Sequence, residues 1–195
     1  MYVTTRFVGT KRGTMNYLFF LLTEDYIEEN KRITESLAPL LARFAREIGD
    51  QGALVKPFQG DEATTLDNAL KKNWSDAQVM RMRKDLPALL VIDEDFDAFD
   101  PTRSNYIYIS LRTAMDDFGN VRIFDVQELL DILVDACSRS DLFAVARGYL
   151  AAQNRESLWE AVELKPEFVG FSFDLKKGVE FLKRMRQNRQ LFRVS

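Results

Sequence analysis

The chain has 195 residues, 46% of them hydrophobic and 29% charged, with a net charge of −3. Such a composition suits a soluble globule of one domain plus an appendage, and its sign argues against bulk attraction to nucleic acid. There is no histidine and one cysteine, which removes the commonest general base, the commonest zinc ligand, every Ser–His or Cys–His pair and any intrachain disulfide.

A single cysteine fits a reducing compartment, so a cytoplasmic location is expected. No apolar run approaches the roughly 18 residues of a membrane span. The opening residues lack the apolar core of a signal peptide, so neither a span nor a leader is expected.

Residues 1–15 hold a short alternating run, then Gly9 and Gly13 with Lys11 and Arg12. They predict an added edge strand and a turn; the alternative is a small basic arm reaching a partner. Tyr17–Leu22 is a continuous apolar run of strand length, the pattern of a strand buried on both faces. Ile33, Leu37, Leu40, Leu41, Phe44 and Ile48 then recur at steps of three and four, which makes one apolar helix face. Lys31, Arg32, Glu35, Arg43, Arg46 and Glu47 cover the other face. Pro39 inside this pattern removes an amide donor and predicts a kink. Gly49 and Gly52 predict a cap or turn just beyond it. Residues 53–58 form a second, shorter strand. Strand, helix and strand together imply a parallel pair with a right-handed crossover.

Within residues 61–84, Leu66, Leu70 and Trp74 mark one helical series. Ser75-Asp76-Ala77-Gln78 reads as a capping box opening another helix, with Ala77, Met80 and Met82 available to pack. A strand follows at Ala88. Five carboxylates then fall between residues 93 and 100. Asp93, Asp95 and Asp97 imitate the first three ligands of a calcium loop. Ala98 stands where that loop needs glycine, however, and Ser104 where it needs glutamate. The strand followed by Asp-x-Asp also resembles magnesium-dependent phosphotransfer sites. The plain reading is a solvated hairpin loop between Ile92 and Asn105, with Pro101 starting a turn.

Residues 105–111 predict the returning strand, and residues 112–124 a loop. Asp125-Val126-Gln127-Glu128 reads as a capping box for a helix with Val126, Leu129, Leu130, Leu133, Val134 and Cys137 inward. Cys137 on that stripe is a core residue rather than a nucleophile. Residues 141–154 read as helix, Ser157 caps another, residues 167–173 read as a strand and Asp174 caps a last helix. Glu163-Leu164-Lys165 satisfies the Glu-x-Lys of metal-dependent nucleases, in a setting that reads as helix end. From Asp174 to Ser195 seven Lys/Arg face two acids, a net +5 that leaves the rest of the chain at −8. This basic end docks on the acidic body, or alternatively meets an anionic partner such as nucleic acid.

Several of these words together resemble the thioredoxin family. SLAPLLARFAREIGD resembles that family's second helix with its kink proline, here Pro39. Asp85-Leu86-Pro87 before the strand ALLVI resembles its cis-proline, here Pro87. NYIYISL and DVQELLDILVDAC resemble its next antiparallel strand and its closing helix. The resemblance spans roughly residues 16–137. Counting back from Pro39, the two Cys-x-x-Cys positions hold Lys31 and Thr34, and neither forms a thiolate. The resemblance therefore implies a redox-dead member that serves as a binding or assembly platform.

The expected architecture is an α/β mixed sheet flanked by helices over residues 1–138, with a helix-rich extension over residues 139–195 packed on it. The expected activity is binding, without a cofactor, of another protein or a second copy of the chain as a homodimer. The contact region implied by the resemblance is Lys31, Arg32, Thr34, Asp85, Leu86 and Pro87, where a peptide would add as a strand beside Pro87. The alternatives are a metal-dependent phosphotransfer or nuclease-type enzyme using the loop at Asp93, Asp95 and Asp97, and a self-associating structural protein.

Overall fold

The structure, a computed structural model, describes residues 3–4, 15–24, 26–56, 74–96, 98–114, 120–139, 142–143 and 170–174. In chain order the elements are β1 (Val3–Thr4), β2 (Tyr17–Leu22), α1 (Glu28–Glu47), β3 (Gly52–Val55), α2 (Asp76–Lys84), β4 (Ala88–Ile92), β5 (Tyr106–Ser110), α3 (Ile123–Arg139) and β6 (Gly170–Asp174). Short 3₁₀ turns lie at Gly49–Gln51 and Arg112–Ala114. The strands form one mixed sheet of order β1-β3-β2-β4-β5-β6. β3 runs parallel to β1 and β2, β4 antiparallel to β2 and β5, and β6 parallel to β5.

Both faces of the central strands are covered, which is why they read as unbroken apolar runs. Tyr17, Phe19 and Leu21 of β2 face the layer that holds α1 and α3; Leu18, Phe20 and Leu22 face the layer that holds Val79 and Trp74. Each large side chain removed from water in these layers stabilises the fold by about 1.5–3 kcal/mol.

In α1 the predicted stripe is the buried one, with Leu40 only half-buried and with Asn30, Thr34 and Ala45 added to it. The helix runs unbroken through Pro39, which stands on the exposed face. Past its end Gly49 takes φ +56°, the left-handed value that favours glycine in a C-terminal cap. Gly52 is needed for a different reason. A Cβ there would lie 2.9 Å from Tyr17 O and 3.0 Å from the Phe19 ring, across the β2–β3 pair. Gly52→Ala should therefore cost about 1–3 kcal/mol by overpacking, read as a lower denaturation midpoint. An unchanged midpoint would mean that the two strands can separate by a few tenths of an ångström.

The capping box of α2 forms as expected: Gln78 N donates to Ser75 Oγ at 3.4 Å and Ser75 N donates to Gln78 Oε1 at 3.1 Å. Its inward residue differs from expectation. Val79 is buried, while Ala77 and Met80 are exposed and Met82 is half-buried. The helical period runs from Val79 through Met82 to Leu86, which turns Met80 outward.

The helix α3 starts at Ile123, two residues before the predicted cap, because Arg122 N donates to Ala114 O and begins the turn there. Asp125 is then an exposed first-turn residue rather than a cap. Val126, Leu129, Leu130, Leu133 and Cys137 point inward as predicted, joined by Ile132, while Val134 is only half-buried against them.

Two parts of the expected extension belong to the central body. Leu142 N donates to Tyr17 Oη at 2.7 Å, and Phe143 packs its ring 5.9 Å from that of Tyr17. The strand expected at residues 167–173 is β6, with Phe171 opposite Ile107 and Phe173 opposite Ile109 inside the same sheet. The helix expected at 141–154 apart from Leu142 and Phe143, those expected at 157 and beyond 174, the Leu66–Leu70 series, the Lys11–Arg12 turn and the Glu163–Lys165 pattern lie outside the described residues.

Candidate functional site

Strand register sets one end of the molecule. Leu22 pairs with Ala88 and Ala88 with Ser110, so the exits of β2 and β5 meet the entrance of β4. α1 begins there after the turn at Thr23 and Glu24, and α2 ends there in Asp85-Leu86-Pro87, whose Leu86–Pro87 bond is cis.

The segments are fastened by groups on and after β5. Ser110 Oγ donates to Asp85 O at 2.6 Å, and Leu111 N donates to Pro87 O at 2.7 Å. Tyr108 Oη donates to Met82 O at 2.9 Å, and burial pushes its phenol well above the usual range. Arg112 spans the corner: its Nη1 donates to Lys84 O at 3.2 Å and its Nη2 to Glu29 Oε2 at 3.1 Å. One guanidinium thus joins the first turn of α1 to the end of α2, an arrangement suited to its rigid fork of donors.

Of the six residues expected to make contact, Lys31 and Arg32 are exposed and Asp85 is half-buried. Burial pushes the Asp85 carboxyl up, against the pull of Arg112, Arg81 and Lys84. The other three are not at the surface. Thr34 is 9% exposed and its hydroxyl donates to Asn30 O at 2.8 Å, with Thr23 Oγ1 at 3.3 Å. Leu86 is 0% exposed and Pro87 is buried. The carbonyls of Lys84, Asp85 and Pro87 are all taken by the donors described above.

Two features of the corner were not foreseen. Arg112 is one; a cation at the exit of a buried strand is the sequence signal for it. Asn30 is the other. It is fully buried, and among the described residues neither Oδ1 nor Nδ2 has a hydrogen-bond partner. Its signal was phase: Asn30 lies three and four residues before Ile33 and Thr34, on the apolar stripe of α1. On the opposite face of the sheet, the Glu24 carboxylate, 3% exposed, lies 3.5 Å from Arg83 Nε.

The acidic hairpin lies at the other end of the sheet, where Leu18 pairs with Ile92 and Ile92 with Tyr106. Asp93, Glu94, Ala98, Asp100, Arg103, Ser104 and Asn105 line a cavity of about 420 Å³. Asn105 Nδ2 donates to Asp93 at 3.3 Å. Thr102 donates twice to Asp100, which holds that carboxyl below its usual range. These are the bonds of a self-satisfied turn. Among the described residues no three acidic, histidine or cysteine side chains come together as a metal set, and Asp97 lies outside those residues. Cys137 is buried, and burial pushes its thiol up to about 12, where it does not ionise at neutral pH.

What the geometry defines is an α/β protein: a mixed sheet with helices on both faces and a braced corner where α1 begins and α2 ends. Comparison with family models, with curated proteins and with solved structures found no match. Among the described residues no helix is long and apolar enough to cross a membrane.

Proposed function

We propose that this chain is a thioredoxin-like protein without dithiol chemistry, and that it works by binding another protein at the corner around Pro87. The observation that carries the reading is the Arg112 bridge. It joins the first turn of α1 to the Lys84–Pro87 turn, the two segments that the family resemblance places together. Lys31 and Thr34 occupy the positions of the family's cysteines, so the corner has no thiolate to offer. The exposed side chains of the corner, Lys31 and Arg32 foremost, carry the contact, above a buried Leu86.

The test is a double charge reversal, Lys31→Glu with Arg32→Glu, beside Arg103→Glu at the far end of the sheet. Proteins retained by the unaltered chain and by Arg103→Glu should be lost from the double variant. Its stability should stay within about 0.5 kcal/mol, because both side chains are exposed. Retention by the double variant would overturn the reading. Light scattering on the same set identifies a second copy as the partner if a dimer mass falls to the monomer mass in the double variant only.

A further inference from the structure

We propose that the first turn of α1 is a strap with two positions, because the helix has two alternative starts: at Ile27, as in this structure, and at Asn30. The inference stands on this segment's own geometry and does not depend on the protein-binding reading.

The observed start is weakly anchored. Ile27 holds the N-cap position, and no side chain caps the turn. No apolar side chain from Tyr26 to Arg32 is buried: Tyr26 is 66% exposed and Ile27 half-buried. The buried side chain of the turn is Asn30, 0% exposed, with both amide atoms unpartnered among the described residues. Closing the turn therefore takes no large apolar group out of water and leaves a polar group dry. What favours closure is polar and lies near solvent. Glu28 and Glu29 suit the positive end of the helix. Lys31 N donates to Ile27 O at 3.0 Å. Arg112 Nη2 donates to Glu29 Oε2 at 3.1 Å, with the two side chains 42% and 40% exposed.

Asn30 has the chemistry of a better start. Asparagine is among the strongest N-caps and isoleucine among the weakest. With residue 30 as the cap, its Oδ1 accepts from the amide of Arg32 or Ile33, and Nδ2 turns to water. Its carbonyl needs no new partner, since it already accepts from the Thr34 hydroxyl at 2.8 Å. Beyond that point Ile33, Thr34, Leu37 and Leu41 are buried, so opening stops at residue 30. The opened strap gives up the Arg112–Glu29 pair and the Lys31–Ile27 bond and hydrates Asn30. Arg112 keeps its bond to Lys84 O. Gains and losses of similar size on the two sides make the turn a two-position element.

The experiment is amide hydrogen exchange followed by NMR on the full chain, unaltered and as Asn30→Leu and Asn30→Asp. The amides of Lys31 and Arg32 are the probes, and those of Leu41 and Phe44, deeper in α1, report global unfolding. In the unaltered chain the probes should exchange at least about 100-fold faster than the references. Asn30→Leu removes both the alternative cap and the dry amide. Probe exchange should then slow about tenfold beyond any change at Leu41 and Phe44. Asn30→Asp keeps a strong cap and disfavours the buried position, so the probes should exchange faster. A melting curve checks folding, and if Asn30→Asp does not fold the Asn30→Leu result decides. Probes as slow as the references would overturn the proposal. So would fast exchange equal in every folded chain, which is ordinary fraying of a helix end.

Discussion

Asn30→Leu should raise the melting temperature. The native side chain is fully buried with both polar atoms unpartnered among the described residues, and its stripe neighbours Ile33 and Leu37 are buried apolar residues. Each buried polar group without a partner costs about 1–3 kcal/mol. Leucine has a similar size, buries no polar atom and is the better helix former. A net gain of about 2 kcal/mol is expected, or about 4–8 °C for a chain of this length. Thermal unfolding followed by circular dichroism measures it. A lower melting temperature would show that the Asn30 amide has a partner in solution, a water molecule or a ligand under the first turn of α1.

Leu86→Glu should act in the opposite direction and more strongly. Leu86 is 0% exposed in the layer formed with Phe20, Val79 and Leu90. Removing its packing costs about 2–5 kcal/mol. Enclosing an unpaired carboxylate adds to that cost, and the total is a large part of an ordinary stability of about 5–15 kcal/mol. Loss of cooperative unfolding at neutral pH is the expected result. The pH dependence has a definite sign. Burial raises the pKa of the introduced acid in the folded state. Its penalty is therefore smallest below the ordinary glutamate value and grows as pH rises, so partial recovery is expected in mildly acidic buffer. A variant that melts like the unaltered chain at neutral pH would show that residue 86 can reach solvent. The contrast with Lys31→Glu and Arg32→Glu separates the buried floor of the corner from its exposed rim.

Local rules carried most of the element assignments. The period of three and four in α1, the apolar run of Tyr17–Leu22, the Ser75–Gln78 box and the left-handed Gly49 depend on residues adjacent or one turn apart. Such signals are complete within a short window. The errors came where a distant contact outweighed the local pattern. Asp125 looked like a cap, but the Ala114 carbonyl started α3 at Ile123. Met80 looked available for packing, but the entry of α2 through buried Trp74 set Val79 inward. Residues 167–173 read as a strand in an appendage, and pairing with β5 made β6 part of the main sheet.

The corner divides in the same way. Pro87 at the head of a strand and the absence of cysteine from the start of α1 were legible in the order of residues. Whether Thr34, Asp85 and Leu86 face solvent was not, because exposure depends on what packs from elsewhere in the chain.

Residue order alone therefore ruled out a histidine side chain or an intrachain disulfide within these 195 residues, since folding cannot supply either. It also settled where the main strands and helices lie, because helical and strand periodicities are written in neighbouring residues. Only the folded molecule decided that Arg112 would brace α1 against α2, that Leu86 would be sealed and that Asn30 would be buried without a partner among the described residues. Each of these depends on groups far apart in sequence meeting at one end of the sheet, and strand register rather than local pattern sets that meeting.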